Sequence, residues 1–253
     1  MTAVREQLAC DGRPDLVFDF VRPESATPAP LLVFIHGGGW ISGDRTMYAD
    51  EAVWAAQLGF ASACVSYRLA PLHPFPAAVA DVQAFVRHAR RHHAELGVDP
   101  TKIVAMGNSA GGHLAAMAGL CPTDLGTGEP AERADAVVCI SGISDLREPD
   151  TRSLPIAMSF VEQFMGGSYG ELSEQFAKAS PLAYVDSQAP PFLVYHGDDD
   201  EIVPVEQSRA LAAALREAGA AVDYHEMTGE GHSYTFTAWE EIRRGCAAFV
   251  RGL

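Results

Sequence analysis

Short runs of consecutive apolar residues recur at 31–35, 61–67, 103–106, 136–140 and 191–195, each bounded by Gly, Pro or polar residues. Runs of this length are too short for helices and predict strands buried on both faces. Residues 16–21, between Pro14 and Pro23, predict a further strand, with a second short strand-like piece elsewhere in the first 30 residues. Residues 222–227 alternate as a late strand. Helices are predicted between them. Residues 48–58 form one, and Val82, Phe85, Val86 and Ala89 mark the apolar face of another at i, i+3, i+4, i+7. The Ala-rich run 111–120 is a third. Pro204 opens a fourth, which carries Leu211 and Leu215 and ends at Gly219; residues 239–250 close the chain as a fifth. Strands alternating with helices imply a mostly parallel sheet of eight strands with helices on both faces, hence the α/β class in one domain over 1–253.

One segment breaks the rhythm. Residues 144–184 are rich in Met, Phe, Gly and Ser, as a lid or binding insert would be; a peripheral helix pair is the plainer reading, and the two are compatible. Ile156, Met158, Phe160, Val161, Phe164 and Met165 within it either line an acyl channel or pack the insert onto the body.

The formal net charge of −15 argues against a nucleic-acid partner, whose phosphates need a basic patch, and gives no help on an anionic membrane. Five widely spaced cysteines without a Cys-x-x-Cys read as buried thiols of a reducing compartment. The first residues lack the apolar core of a signal peptide. A cytoplasmic location is therefore expected. No His pairs with a Cys or carboxylate at metal spacing, so no metal or cofactor is expected. His88, His92 and His93 lie on an Arg-rich helix face, and His73 and His225 have no motif around them.

Four stretches carry candidate chemistry. Gly107-Asn108-Ser109-Ala110-Gly111 sits between the run 103–106 and the Ala-rich run. A serine on a sharp strand-to-helix turn has its hydroxyl pushed into the open, beside helical N–H groups that favour negative charge. His36-Gly37-Gly38-Gly39-Trp40 follows the first parallel strand, and its glycines expose backbone N–H donors of the kind an oxyanion needs. His196-Gly197-Asp198-Asp199-Asp200-Glu201 follows another strand, where ligands gather in open α/β sheets. Its four adjacent acids cannot all act; one could orient a histidine. Gly229-Glu230-Gly231-His232 follows the last strand and frees a histidine on a loop.

Together with Tyr67-Arg68-Leu69-Ala70-Pro71, Gly112-His113 and Val203-Pro204, these stretches resemble α/β-hydrolase carboxylesterases of the hormone-sensitive-lipase-like or feruloyl/acetyl-xylan-esterase-like group. The match spans residues 36 to 232. The order serine, acid, histidine is also that of the α/β hydrolases. The resemblance implies Ser109 as nucleophile, Asp200 as acid, His232 as base, and Gly38, Gly39 and Ala110 as the oxyanion hole. It implies Trp40, His113 and Phe164 at the substrate; His36 and His196 belong to its motifs in supporting roles. Hormone-sensitive-lipase-like members carry a helical cap ahead of the His-Gly-Gly-Gly strand. Only about 35 residues precede it here, which moves acyl selectivity onto the insert and predicts short to medium acyl chains.

The function expected is hydrolysis of a small-molecule carboxylic ester through an acyl-enzyme. Two alternatives stay open: an arylformamidase-type amide hydrolase, and a biosynthetic dehydratase or cyclase that reuses the site. Assembly stays open between a monomer and a homodimer.

Overall fold

The computed structural model describes residues 4–10, 12–25, 27–147 and 155–253. Among the described residues, eight strands form one sheet: β1 (Val4–Cys10), β2 (Arg13–Arg22), β3 (Ala29–Ile35), β4 (Ala61–Val65), β5 (Val98–Asn108), β6 (Ala136–Ile140), β7 (Phe192–Gly197) and β8 (Val222–Met227). Their order across the sheet is β1-β2-β4-β3-β5-β6-β7-β8. The β1–β2 and β2–β4 pairs are antiparallel and all others parallel.

The continuous apolar runs follow from cores on both faces. Along β3, Leu31, Val33 and Ile35 enter one core while Leu32 and Phe34 enter the other, all five fully buried. Each such side chain contributes roughly 1.5–3 kcal/mol relative to exposure, which fixes the register of the strand that leads into the glycine loop. The first core is closed by α2 (Ala77–Arg91), α3 (His93–Leu96), α4 (Ala110–Leu120), α5 (Pro155–Met165), α6 (Tyr169–Lys178) and α7 (Glu206–Glu217). The second is closed by α1 (Ala49–Gln57) and α8 (Phe236–Gly252).

Differences from the sequence reading lie at element ends. The strand expected over 61–67 stops at Val65, because Tyr67 turns inward and its hydroxyl donates to His36 O at 2.9 Å. The last helix begins at Phe236, three residues earlier than expected, because the Thr235 side chain accepts from Ala238 N and caps it. The segment 144–184 is a helix pair, α5 and α6, followed by a short 3-10 turn at Pro181–Tyr184; residues 148–154 and the side chain of Ile156 lie outside the described residues. All five cysteines are buried thiols. Among the described residues no helix is long and apolar enough to cross a membrane.

Candidate active site

Ser109 joins β5 to α4 with φ 55° and ψ −123°, a left-handed conformation that costs a non-Gly residue roughly 1–3 kcal/mol. The surroundings hold it there. Ser109 N–H donates to Ile140 O of the neighbouring strand at 2.9 Å, and Tyr48 Oη donates to Asn108 Oδ1 at 3.0 Å. Helix and sheet also approach closely behind it: a Cβ at Gly111 would lie 2.0 Å from Ile35 O, so only glycine fits. The serine therefore stands at the head of α4, whose first N–H groups face any charge that develops beside it.

The glycine loop after β3 is held against this turn. Gly38 O accepts from Ile41 N at 3.2 Å and from Ser42 N at 3.1 Å, which closes a tight turn with Gly39 and Trp40 both at φ 60°. A Cβ at Gly39 would meet the Phe160 ring at 2.9 Å. The Tyr-Arg motif is the scaffold beneath. Tyr67 stacks on His36 with centroids 4.1 Å apart. Arg68 pairs with fully buried Asp81 through Nη2–Oδ1 at 2.7 Å and Nε–Oδ2 at 2.8 Å. That fork fixes the loop after β4 on α2.

The acid and histidine meet at the same edge of the sheet, since β5, β6, β7 and β8 are consecutive parallel neighbours and Ser109, Asp200 and His232 all follow their carboxyl ends. His232 Nδ1 lies 2.7 Å from Asp200 Oδ2. The Asp200 side chain is fully buried and that of His232 is 15% exposed. Asp200 Oδ1 accepts from Ile202 N at 2.9 Å and Val203 N at 2.8 Å. Burial alone would raise the Asp200 pKa; hydrogen bonds from His196, from His232 and from the Val203 N–H outweigh it and hold the carboxyl well below its usual range. An ionised Asp200 only accepts, so the contact at 2.7 Å puts the His232 hydrogen on Nδ1 and leaves the lone pair on Nε2.

The other three acids of the turn have different partners. Asp198 Oδ1 accepts from Gly229 N at 2.6 Å, Asp199 is exposed, and Glu201 Oε2 meets the His232 backbone N–H at 3.4 Å. Sequence reasoning missed Ser141. It is fully buried at φ 45°, and its Oγ lies 2.8 Å from Tyr234 Oη, two residues beyond His232. It ties the loop after β6 to the histidine loop, and although Gly142 follows it, no motif marks it in the sequence.

A cavity of about 20 Å³ opens onto Ser109, with Gly39 and Ala110 on its rim and Trp40, Ile143, Ala157, Phe160, Ile202 and Val203 around it. Gly38 is not among its lining residues. Two larger clefts, of about 480 Å³ along β8 and α8 and about 250 Å³ beside Arg22, do not border Ser109. Of the three residues expected at the substrate, only Trp40 lines this cavity. His113 and Phe164 are buried behind it. Phe164 stacks on Trp40 with centroids 4.4 Å apart, and Trp40 Nε1 donates to His113 Nδ1 at 3.2 Å. Val161 and Met165 likewise pack into the core, whereas Phe160 and Ala157 face the cavity. The insert both packs and lines.

His113 gives a stability prediction. Its Nε2–H donates to Ala179 O at 2.8 Å, and burial pushes the ring down to about 4 from 6.5. The folded state refuses a proton that the unfolded chain binds. Stability from this residue is therefore complete above pH 6.5 and falls as pH drops from 6.5 to about 4. The loss is on the order of 3 kcal/mol. His113→Gln is expected to flatten that stretch of the curve. Urea midpoints between pH 7 and 4 test it, and curves of equal slope would refute it.

The chain is similar to known proteins over nearly all of this framework. The BD-FAE family model matches residues 18–215. Esterase LipQ of Mycobacterium tuberculosis (strain ATCC 25618 / H37Rv) is 37% identical over 236 residues, covering 90% of this chain and 56% of that protein. The chain thus spans about half the length of this relative. A propionate-bound structure of the esterase Est2 from Thermogutta terrifontis superposes with TM-score 0.83 at 27% identity, covering 99% of this chain and 94% of that one. The same esterase phosphonylated by sarin gives TM-score 0.85 at 27% identity, covering 98% and 94%.

Proposed function

The chain belongs to the BD-FAE family, and from that membership we propose that it is a serine carboxylesterase for small esters with short acyl groups. The observation that carries the reading is the buried Asp200–His232 pair at the sheet edge that also bears the Ser109 turn. In this reading His232 Nε2 takes the proton of Ser109 Oγ as the oxygen attacks the ester carbonyl. The N–H groups of Gly39 and Ala110, with Gly38, receive the oxyanion; each such donor is worth roughly 10²–10³ in kcat. His232⁺ protonates the departing alcohol. Water, deprotonated by the same nitrogen, then releases the acid and frees Ser109.

Support for a nucleophile in the site comes from the Thermogutta terrifontis esterase, which is phosphonylated by sarin. Support for short acids comes from that esterase holding propionate, and from the cavity here. A volume of about 20 Å³ is little more than one water-sized probe requires. Phe160, packed on Gly39 at the cavity edge, sets that limit in this reading, and His113 and Phe164 act through Trp40 by fixing the opposite wall.

A p-nitrophenyl ester series tests both parts. kcat/KM is expected to peak between acetyl and hexanoyl and to fall toward dodecanoyl, with anilides and N-formylkynurenine turned over far more slowly. Rates that climb steadily to dodecanoyl refute the pocket assignment, and N-formylkynurenine as the best substrate refutes the ester assignment. Phe160→Ala is expected to move the optimum to longer chains and to raise kcat/KM for octanoyl by about tenfold, the worth of one or two buried methylenes. An unmoved optimum would show that another side chain sets the length.

A further inference from the structure

The imidazole of His196, at the end of β7, takes part in no step above. It is fully buried, and its neighbours fix its protonation. Nε2 lies 2.9 Å from Val203 O and 3.2 Å from Asp200 Oδ2. A carbonyl and an ionised carboxylate only accept, so Nε2 carries a hydrogen. Nδ1 lies 2.7 Å from Ser208 Oγ of α7, whose hydroxyl turns to donate. Two imidazoles therefore face one carboxylate oxygen: His232 Nδ1 at 2.7 Å and His196 Nε2 at 3.2 Å, both on Asp200 Oδ2. The backbone N–H groups of Ile202 and Val203 hold only Oδ1.

We propose that His196 is a positioning residue for the reaction, whose Nε2–H, shared between Val203 O and Asp200 Oδ2, holds the carboxylate against His232 and moderates the charge His232 feels. The proposal rests on the reading of Ser109, Asp200 and His232 as a triad. It differs from a purely structural role, in which the ring only bridges β7 to α7 and the loop at Val203. A structural bridge leaves the protonation of His232 alone. A donor on Oδ2 does not: without it the carboxylate's charge falls wholly on His232, the imidazolium is stabilised, and the acid limb of the pH–rate profile moves up.

Other groups face this pair. Glu226 of β8 lies near His196 and is paired with Arg209 of α7; Glu201 meets the His232 backbone; Tyr234 follows His232 and feels Asp200. Both variants below replace His196 with a neutral amide and leave these groups in place, so they cancel between Asn and Gln.

Asparagine and glutamine at position 196 separate the two roles in the full chain. A Gln amide reaches as far as Nε2, whereas an Asn amide reaches only to the level of Nδ1, facing Ser208. His196→Asn is expected to lower kcat by about tenfold with KM nearly unchanged. Its acid limb should rise by about half a pH unit. His196→Gln should recover most of both. Equal behaviour of the two variants, or an unmoved acid limb in His196→Asn, overturns the proposal. A measurement on the unmodified protein stands whether or not these variants fold. Long-range ¹⁵N–¹H spectra should read His196 as the neutral Nε2–H tautomer, and an Nδ1–H tautomer overturns the proposal outright. Ser109→Ala assayed alongside keeps the two readings apart: turnover surviving there sinks the triad, whereas its loss there, with Asn and Gln alike at 196, sinks only the role of His196.

Discussion

Ser109→Ala is expected to fold as the unmodified chain does and to lose roughly 10³-fold or more of kcat on a p-nitrophenyl ester. The expectation rests on the turn. Ser109 N–H is bound to Ile140 O, Gly111 is pressed against Ile35 O, and α4 starts at Ala110. None of these contacts uses the hydroxyl, so its removal should change thermal stability by no more than about 1 kcal/mol. What remains should be the background that an oxyanion site and binding supply without a nucleophile. KM should move little, because the cavity wall of Ile143, Phe160 and Val203 is untouched. A variant that retains near-normal kcat would show that the ester carbon is attacked by another group.

The second large effect is expected at Asp200. Asp200→Asn keeps the size of the side chain and its Oδ1 contacts with the N–H groups of Ile202 and Val203. An amide N–H₂ placed toward His232 Nδ1 would favour the tautomer that carries its proton on Nε2. That tautomer cannot accept from Ser109, and a loss of about 10⁴ in kcat is expected, as for other triads. Asp198→Asn, Asp199→Asn and Glu201→Gln should each stay within a few-fold of the unmodified rate. Their oxygens meet backbone or solvent rather than the imidazole ring. A loss at Asp199 larger than at Asp200 would contradict the geometry.

These two residues differ in how legible they are. Ser109 is announced by its neighbours: Gly107 and Gly111 are required by close backbone approach, and an apolar strand and an Ala-rich helix flank them. Asp200 stands among three other acids that composition cannot tell apart, and only family resemblance singled it out. Its position comes from a side-chain oxygen that turns back onto the N–H groups two and three residues on, which aims Oδ2 at His232.

The cavity wall was the least legible part. Ile143, Ala157, Ile202 and Val203 come from three separate stretches, and no single period or motif joins them. Aromatic residues misled in the other direction. Phe164 and His113 have the composition of a binding surface, but they stack and hydrogen-bond behind Trp40. Burial behind a wall and exposure along one leave the same sequence signature. The sheet was easier to read, because each strand buried between two cores leaves an uninterrupted apolar run. Its ends were not, because a side-chain cap at Thr235 and an inward-turned Tyr67 decided them.

The most direct test of the central claim is titration with diethyl p-nitrophenyl phosphate. One p-nitrophenolate should be released per chain as one diethylphosphoryl group is transferred. Activity should fall in proportion, and peptide mass spectrometry should find the group on Ser109. Label on another residue, or full Ser109 labelling with ester turnover intact, would contradict the account.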